Sequence, residues 1–251
     1  MAERWAIWID IEGFSNLYER ETQVMKALAD LTEGIFLIGT NCYPETPNRL
    51  FAHQTGDGFV IVSEFGASSL EFPVAISIAL LRHVAASGRF AKASISEGDF
   101  SDNKECYSQR IKDACHDSST VSIGDGIMTL FPYMGTALIK SYSLAKQSPK
   151  GALLTLSKEN WERLPSQCIM RKANPDIISI DWVHSELPLV KKLQNTAGLS
   201  APNAEQVKNA IIQYKTKGPS EDWINKTLSQ LGFTELSDQP LQLSPSSKVV
   251  L

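Results

Sequence analysis

The alternation of apolar and polar positions predicts a strand, a tight turn and a helix at the start of the chain. Residues 5–10 form an apolar run that is typical of a buried strand, and Gly13 lies in the turn that follows. A helical spacing then places one apolar face at Leu17, Val24, Leu28 and Leu31. Two β-rich runs, 49–54 and 58–62, flank Thr55-Gly56-Asp57-Gly58, which predicts a hairpin with Asp57 near its tip.

The pattern continues with helices and strands in alternation. Residues 69–86 predict a helix and 90–95 a strand, residues 101–120 a loop or short helix, and 135–149 a further helix. Strands are predicted at 152–156 and 177–183. Strands that alternate with helices, together with hairpin-like pairs, indicate an α+β sandwich with a mostly antiparallel sheet and flanking helices.

The composition changes near residue 197, which predicts two regions. Residues 1–196 would form the main domain, and 197–251 a small C-terminal helical appendage with a flexible tail. Within the appendage, 204–214 and 221–231 predict short helices on either side of Lys217-Gly218-Pro219. Trp223, Ile224, Leu228 and Leu231 have helical spacing and are expected to pack on the main domain or a partner.

Composition and charge narrow the class of protein. The 251 residues are 43% hydrophobic and 21% charged, with a net charge of −4, as in an ordinary globular protein. That charge argues against nucleic acid or an anionic membrane as partner. The most apolar stretch, 72–81, is far shorter than the roughly 20 residues of a membrane helix. With no secretory signal and four scattered cysteines, the sequence predicts a cytoplasmic protein with reduced thiols.

Two aspartates carry the first chemical hypothesis. Asp10 ends an apolar strand and Asp57 lies in the hairpin, so pairing of those strands would bring both carboxylates to one edge of the sheet. Carboxylates suit Mg²⁺, which completes its shell with water and substrate phosphates. Each aspartate also has an ordinary explanation, because Asp commonly forms turns or caps helices and Asp-Gly is a frequent hairpin dipeptide. The segment after Asp10 opens a helix, where free N–H groups attract phosphate.

These segments together resemble a known family. Trp8-Ile9-Asp10-Ile11-Glu12-Gly13-Phe14-Ser15 and Gln54-Thr55-Gly56-Asp57-Gly58-Phe59 resemble the two metal-site motifs of class III nucleotidyl (adenylate/guanylate) cyclase catalytic domains. Residues 92–99 and 135–156 resemble later segments of that domain more weakly, and the resemblance spans about residues 4–185. It implies a ferredoxin-like, palm-type sandwich.

The resemblance also implies a site and a reaction. Asp10 and Asp57 would hold two Mg²⁺ or Mn²⁺ ions with help from the Ile11 carbonyl. The β and γ phosphates would be cradled by the backbone of Glu12, Gly13, Phe14 and Ser15. In this family the ribose 3′-oxygen attacks the α-phosphate of a nucleoside triphosphate, which yields a cyclic 3′,5′-nucleotide and pyrophosphate. Each site is completed by a second subunit, so a head-to-tail homodimer is implied.

The sequence differs from the family at the positions that contact the base. His53 stands where adenylate cyclases carry Lys and guanylate cyclases Glu, and the second position falls near Pro132 or Tyr133. Neither purine is specified. His53 and Tyr133 would contact another base, such as a pyrimidine, or line a loose site, and His53 is equally explained as an ordinary strand side chain.

A second departure lies in the late helix. Ile139 and Ser143 align with the family's transition-state Asn and Arg, and an apolar Ile cannot replace a donor. Lys140, the candidate catalytic cation, and Lys146 lie nearby, although lysines on such helices are commonly solvated. Three hypotheses follow: a divergent active cyclase, a weakened cyclase homology domain that binds nucleotide as a sensor, or a dimerisation or scaffolding module.

Overall fold

The structure of the protein, a computed structural model, describes most of the chain. The described residues are 4–13, 21–44, 49–63, 68–102, 104–115, 119–131, 133–215 and 219–233. None of the helices in these ranges is long and apolar enough to cross a membrane.

Eleven strands and seven α-helices form the framework of the described part of the chain. The strands are β1 (Arg4–Ile11), β2 (Leu50–Thr55), β3 (Gly58–Ser63), β4 (Ala91–Gly98), β5 (Ser101–Asp102), β6 (Thr120–Ile123), β7 (Gly126–Thr129), β8 (Tyr133–Met134), β9 (Leu154–Ser157), β10 (Met170–Lys172) and β11 (Ile177–Ile180). The helices are α1 (Glu21–Cys42), α2 (Glu71–Ala85), α3 (Gln109–Ala114), α4 (Thr136–Gln147), α5 (Pro188–Ala197), α6 (Ala204–Tyr214) and α7 (Glu221–Gln230).

The main sheet has seven strands in the order β10-β11-β9-β4-β1-β3-β2. Strand β4 pairs with β9 in parallel, and the other neighbouring strands pair antiparallel. The first six elements run β1-α1-β2-β3-α2-β4 and place their strands in the order β4-β1-β3-β2, which is the ferredoxin-like arrangement. The predicted α+β fold with a mostly antiparallel sheet and flanking helices is therefore confirmed.

The two faces of β1 lead to different environments because successive side chains of a strand point in opposite directions. Trp5, Ile7 and Ile9 enter the main core, where helix α2 is buried along most of its length. Ala6 and Trp8 point to the other face, which helix α4 covers through Ala137. Asp10 has the same parity as Trp8, so its carboxylate lies on the α4 face of the sheet.

The C-terminal helices share the main core. The predicted boundary at residue 196 falls within the last turn of α5, and the helices beyond it bury their apolar faces against the same hydrophobic cluster as the sheet. That cluster includes Val207, Ile211, Tyr214, Trp223, Ile224 and Leu231. Residues 217 and 218 of the predicted linker Lys217-Gly218-Pro219 lie outside the described residues, and so does the predicted tail after residue 233.

Candidate functional site

The strand register brings the two predicted aspartates together. Asp10 pairs with Gly58 across the antiparallel strands β1 and β3, and Asp57 is the residue before Gly58 in the hairpin turn. The backbone N–H of Ile11 donates to the Asp57 carbonyl at 3.3 Å. Both aspartates line one cavity of about 390 Å³ between the sheet and α4.

The cavity combines negative, positive and aromatic side chains. Besides Asp10 and Asp57 it is lined by Trp8, Glu12, Thr55, Lys92, Tyr142, Ala145 and Lys146. The lining thus includes three acidic and two basic residues. Such a mixture fits a ligand that carries both a metal ion and phosphate groups.

The carboxylate of Asp10 lies in an environment that opposes its ionisation. Burial raises the pKa of Asp10 to about 7, and the negative charges of Glu12 and Asp57 act in the same direction. Its Oδ1 atom is buried without a hydrogen-bond partner among the described residues. An unpaired buried acceptor raises the free energy of the folded state. A cation at this atom would offset that cost and would favour the ionised carboxylate.

The donors present fit a divalent metal ion of the Mg²⁺ type. Two carboxylates and the Ile11 carbonyl are hard oxygen ligands, and Mg²⁺ commonly uses only one or two protein carboxylates beside water and phosphate. In the described ranges, no group of three or more His, Cys, Asp and Glu side chains is arranged to hold a metal ion. The remaining ligands would therefore come from water and substrate.

Lys92 is a site residue that was not predicted from the sequence. It faces Asp10 across β1 and β4, is buried, and donates to the carbonyls of Ala145 at 3.0 Å and Ser148 at 3.2 Å. Burial lowers the pKa of Lys92, while the charges of Glu12 and Asp10 oppose that shift. The alternation of side chains along a strand could have identified Lys92. Its neighbours Ala91 and Ala93 enter the main core, so Lys92 points to the opposite face of the sheet.

The turn after β1 is held by groups of the protein itself. The Glu12 N–H donates to the Phe90 carbonyl at 2.9 Å, so this group is not free to bind phosphate as predicted. Gly13 has a φ of 77°, in the left-handed region that favours glycine. The other predicted phosphate-binding residues, Phe14 and Ser15, lie outside the described residues.

The two candidate base-reading side chains contact each other. The rings of His53 and Tyr133 lie 4.0 Å apart between centroids, and Tyr133 also stacks on Phe100 at 5.9 Å. Burial lowers the pKa of His53. Neither His53 nor Tyr133 belongs to the described lining of the cavity that holds Asp10 and Asp57.

The two candidate lysines of α4 lie on different faces of that helix. Lys146 lines the aspartate cavity, with its ammonium 4.3 Å from the ring centroid of Tyr142. Lys140 instead lines a separate cavity of about 460 Å³, together with Ser143 and the ion pair of Glu97 with Arg163. Ile139 is 66% exposed. Within one chain, Lys140 is therefore not brought to Asp10 and Asp57.

Comparison with known proteins finds likenesses in structure only. No model of a protein family matches the chain, and no curated protein matches it. A bacterial light-regulated adenylyl cyclase aligns with a TM-score of 0.43 and 13% identity, over 78% of this chain and 57% of that one. A class III adenylyl cyclase-like ATP-binding protein from Pseudomonas aeruginosa aligns with a TM-score of 0.41 and 10% identity, over 76% of this chain and 40% of that one. The chain thus spans little more than half the length of the first of these structures.

Proposed function

We propose that the cavity around Asp10 and Asp57 binds a nucleoside triphosphate together with Mg²⁺ or Mn²⁺, and that the protein is a divergent nucleotidyl cyclase. The reaction would convert the triphosphate to a cyclic 3′,5′-nucleotide and pyrophosphate. One observation carries the proposal: an aspartate of strand β1 and an aspartate of the β2–β3 turn line one cavity, and the buried Oδ1 of Asp10 has no hydrogen-bond partner among the described residues.

The metal ligands in this proposal are the Asp10 and Asp57 carboxylates and the Ile11 carbonyl. Two bound ions would stabilise negative charge on the attacking and leaving oxygens of the phosphoryl transfer. Because Asp10 pairs with Gly58 and Asp57 directly precedes Gly58 in the hairpin turn, the hydrogen-bonded strands would constrain the spacing of the two carboxylates before any ligand binds.

Cationic and aromatic side chains of the cavity would hold the rest of the nucleotide. Lys146, supported on the Tyr142 ring, can reach phosphate oxygens, and Lys92 adds positive charge beside Asp10. Trp8 and Tyr142 contact each other edge to face at 4.7 Å and offer apolar surface to a sugar or base. Burial of the ligand between these groups would exclude water from the reacting phosphate.

A second function is favoured by the composition of α4. Ile139 and Ser143 occupy the positions that correspond to the family's Asn and Arg, and the exposed Ile139 offers no donor to a transition state. Without such donors the same cavity would bind a metal–nucleotide complex and act as a sensor. A head-to-tail homodimer, in which a second copy contributes Lys140, would instead support catalysis.

The deciding experiment measures binding and turnover separately. The full chain is incubated with Mn²⁺ and ATP, GTP, CTP or UTP, while calorimetry reports affinity and chromatography reports cyclic nucleotide and pyrophosphate. Turnover identifies the cyclase, and metal-dependent binding without turnover identifies the sensor. Absence of both with all four nucleotides overturns the proposal.

The chain offers a matched control for the metal ligands. Gly124-Asp125-Gly126 repeats Gly56-Asp57-Gly58 at the tip of the β6–β7 hairpin, away from the cavity. Asp57→Asn and Asp10→Asn are expected to abolish metal-dependent binding, whereas Asp125→Asn leaves it unchanged. Equal binding by all three variants would remove the metal assignment.

A further inference from the structure

The end of α6 and the start of α7 both contact the turn that follows β1. Tyr214, the final residue of α6, donates its hydroxyl hydrogen to the Glu12 carbonyl at 3.0 Å. Trp223, in the first turn of α7, donates its indole N–H to Oε2 of Glu12 at 2.6 Å. One residue is thus held at its backbone and at its carboxylate by groups more than 200 positions away in sequence.

An aromatic cluster fixes the two donors. Phe90 packs against Tyr214 and Trp223 with ring centroids 5.2 and 5.7 Å away, and the latter two rings lie 5.3 Å apart. Tyr214 is 3% exposed and Trp223 is 5% exposed. Because Phe90 also accepts the Glu12 N–H, the N–H, carbonyl and carboxylate of Glu12 are each engaged by this cluster.

The held residue belongs to the candidate site. Glu12 lines the cavity with Asp10 and Asp57 and follows Ile11 directly. A side chain on the next residue, Gly13, would begin 3.1 Å from the Tyr214 hydroxyl, so the turn and α6 are closely packed. Movement of either donor would therefore move the backbone next to the proposed metal ligands.

We propose that Trp223 and Tyr214 are positioning residues of the candidate site, which hold the Glu12 carboxylate and the Glu12–Gly13 turn in place for the bound metal–nucleotide complex. This inference rests on the proposed function. Core packing would require only the two rings, and Phe would fill most of the same space. Each ring instead donates its hydrogen to Glu12, a residue of the cavity, which a phenylalanine could not do.

The test removes the polar atoms and keeps ring bulk. Trp223→Phe and Tyr214→Phe are compared with Trp182→Phe, in which a buried indole N–H that donates to the Ala152 carbonyl at 2.8 Å is lost away from the cavity. The first two variants are expected to bind Mn²⁺–nucleotide about tenfold more weakly. In the unliganded chain they should also exchange backbone hydrogens faster in the peptide that covers residues 9–13. Trp182→Phe should lower Tm and leave both readouts unchanged.

A double-mutant cycle tests whether Trp223 acts through Glu12. If it does, Glu12→Leu and Trp223→Phe combined cost no more affinity than the larger single change, because both remove the same bond. Additive losses, or wild-type affinity and exchange in Trp223→Phe, overturn the inference while the proposed function stands. If the wild-type chain binds no metal–nucleotide complex, the proposed function fails and the inference falls with it.

Discussion

Gly58 faces Asp10 across strands β1 and β3 so closely that a side chain on Gly58 would begin 2.9 Å from Cβ of Asp10 and 2.9 Å from the Ile9 carbonyl oxygen. Atoms at that separation must shift. Gly58→Ala is therefore expected to lower the free energy of unfolding by about 1–3 kcal/mol and to weaken metal–nucleotide binding by displacing Asp10.

A second glycine provides the control for that prediction. A methyl group on Gly39, in helix α1, would meet no atom within 4 Å beyond its own helix, so Gly39→Ala should stabilise the chain by up to about 1 kcal/mol through helix propensity. Urea unfolding measures both changes. Unaltered binding by Gly58→Ala would show that the site tolerates displacement of Asp10.

Substitutions of the two lysines of α4 are expected to affect nucleotide binding differently. Lys146→Gln should weaken binding of the triphosphate about tenfold, since Lys146 lines the aspartate cavity. Lys140→Gln should leave the affinity of an isolated chain unchanged, because Lys140 lines the other cavity. Calorimetry at two protein concentrations distinguishes a site within one chain from a site shared between two copies. If Lys140→Gln weakens nucleotide binding only at the high concentration, a second copy contributes Lys140 to the site.

Titration of His53 is expected to make the stability of the folded chain depend on pH. Its pKa in the folded chain lies below the ordinary value of 6.5, so the folded state binds fewer protons than the unfolded state once the pH falls below that value. Stability from this residue is therefore complete above about pH 6.5 and is lost as the pH falls. His53→Phe keeps the ring contact with Tyr133 and removes the titration. The difference in Tm between His53→Phe and wild type should widen from pH 8 to pH 5, and a constant difference would contradict the assignment.

A double substitution in helix α4 is expected to increase the rate at which cyclic nucleotide forms. Ile139→Asn with Ser143→Arg restores the donors that the family resemblance places at these positions, and Ile139 is exposed, so the change should cost little stability. In a head-to-tail homodimer the double variant should form cyclic nucleotide at least about tenfold faster. Product formation and light scattering are measured together. A dimer with no increase in rate would exclude this route to transition-state stabilisation.

The strands and the aspartate pair were predictable because their signals are local. An apolar run defines β1 and a β-rich run defines β3, and Asp57-Gly58 marks the hairpin that joins β2 to β3. The meeting of Asp10 with Asp57 therefore needed only one strand pairing. The β6–β7 hairpin carries a similar Asp125-Gly126 signal, yet it was not among the predicted hairpins.

The rest of the site depends on contacts that no local pattern contains. Alignment to motif positions favoured Lys140, whereas the cavity uses the helical face of Tyr142, Ala145 and Lys146. The side chain of Glu12 was assigned no role, because its partner Trp223 lies in a different part of the sequence. Such pairings depend on how the helices pack against the sheet. Composition and periodicity do not determine that packing.

The bonds from Tyr214 and Trp223 to Glu12 also determine when the site can form during synthesis. Strand β1 leaves the ribosome more than 200 residues before Trp223, yet its adjoining turn acquires these bonds only after residue 223 has emerged. Contacts across so large a sequence separation close late in folding. A nascent chain therefore completes the candidate site only after α7 has emerged, and shorter ribosome-bound forms lack the finished turn.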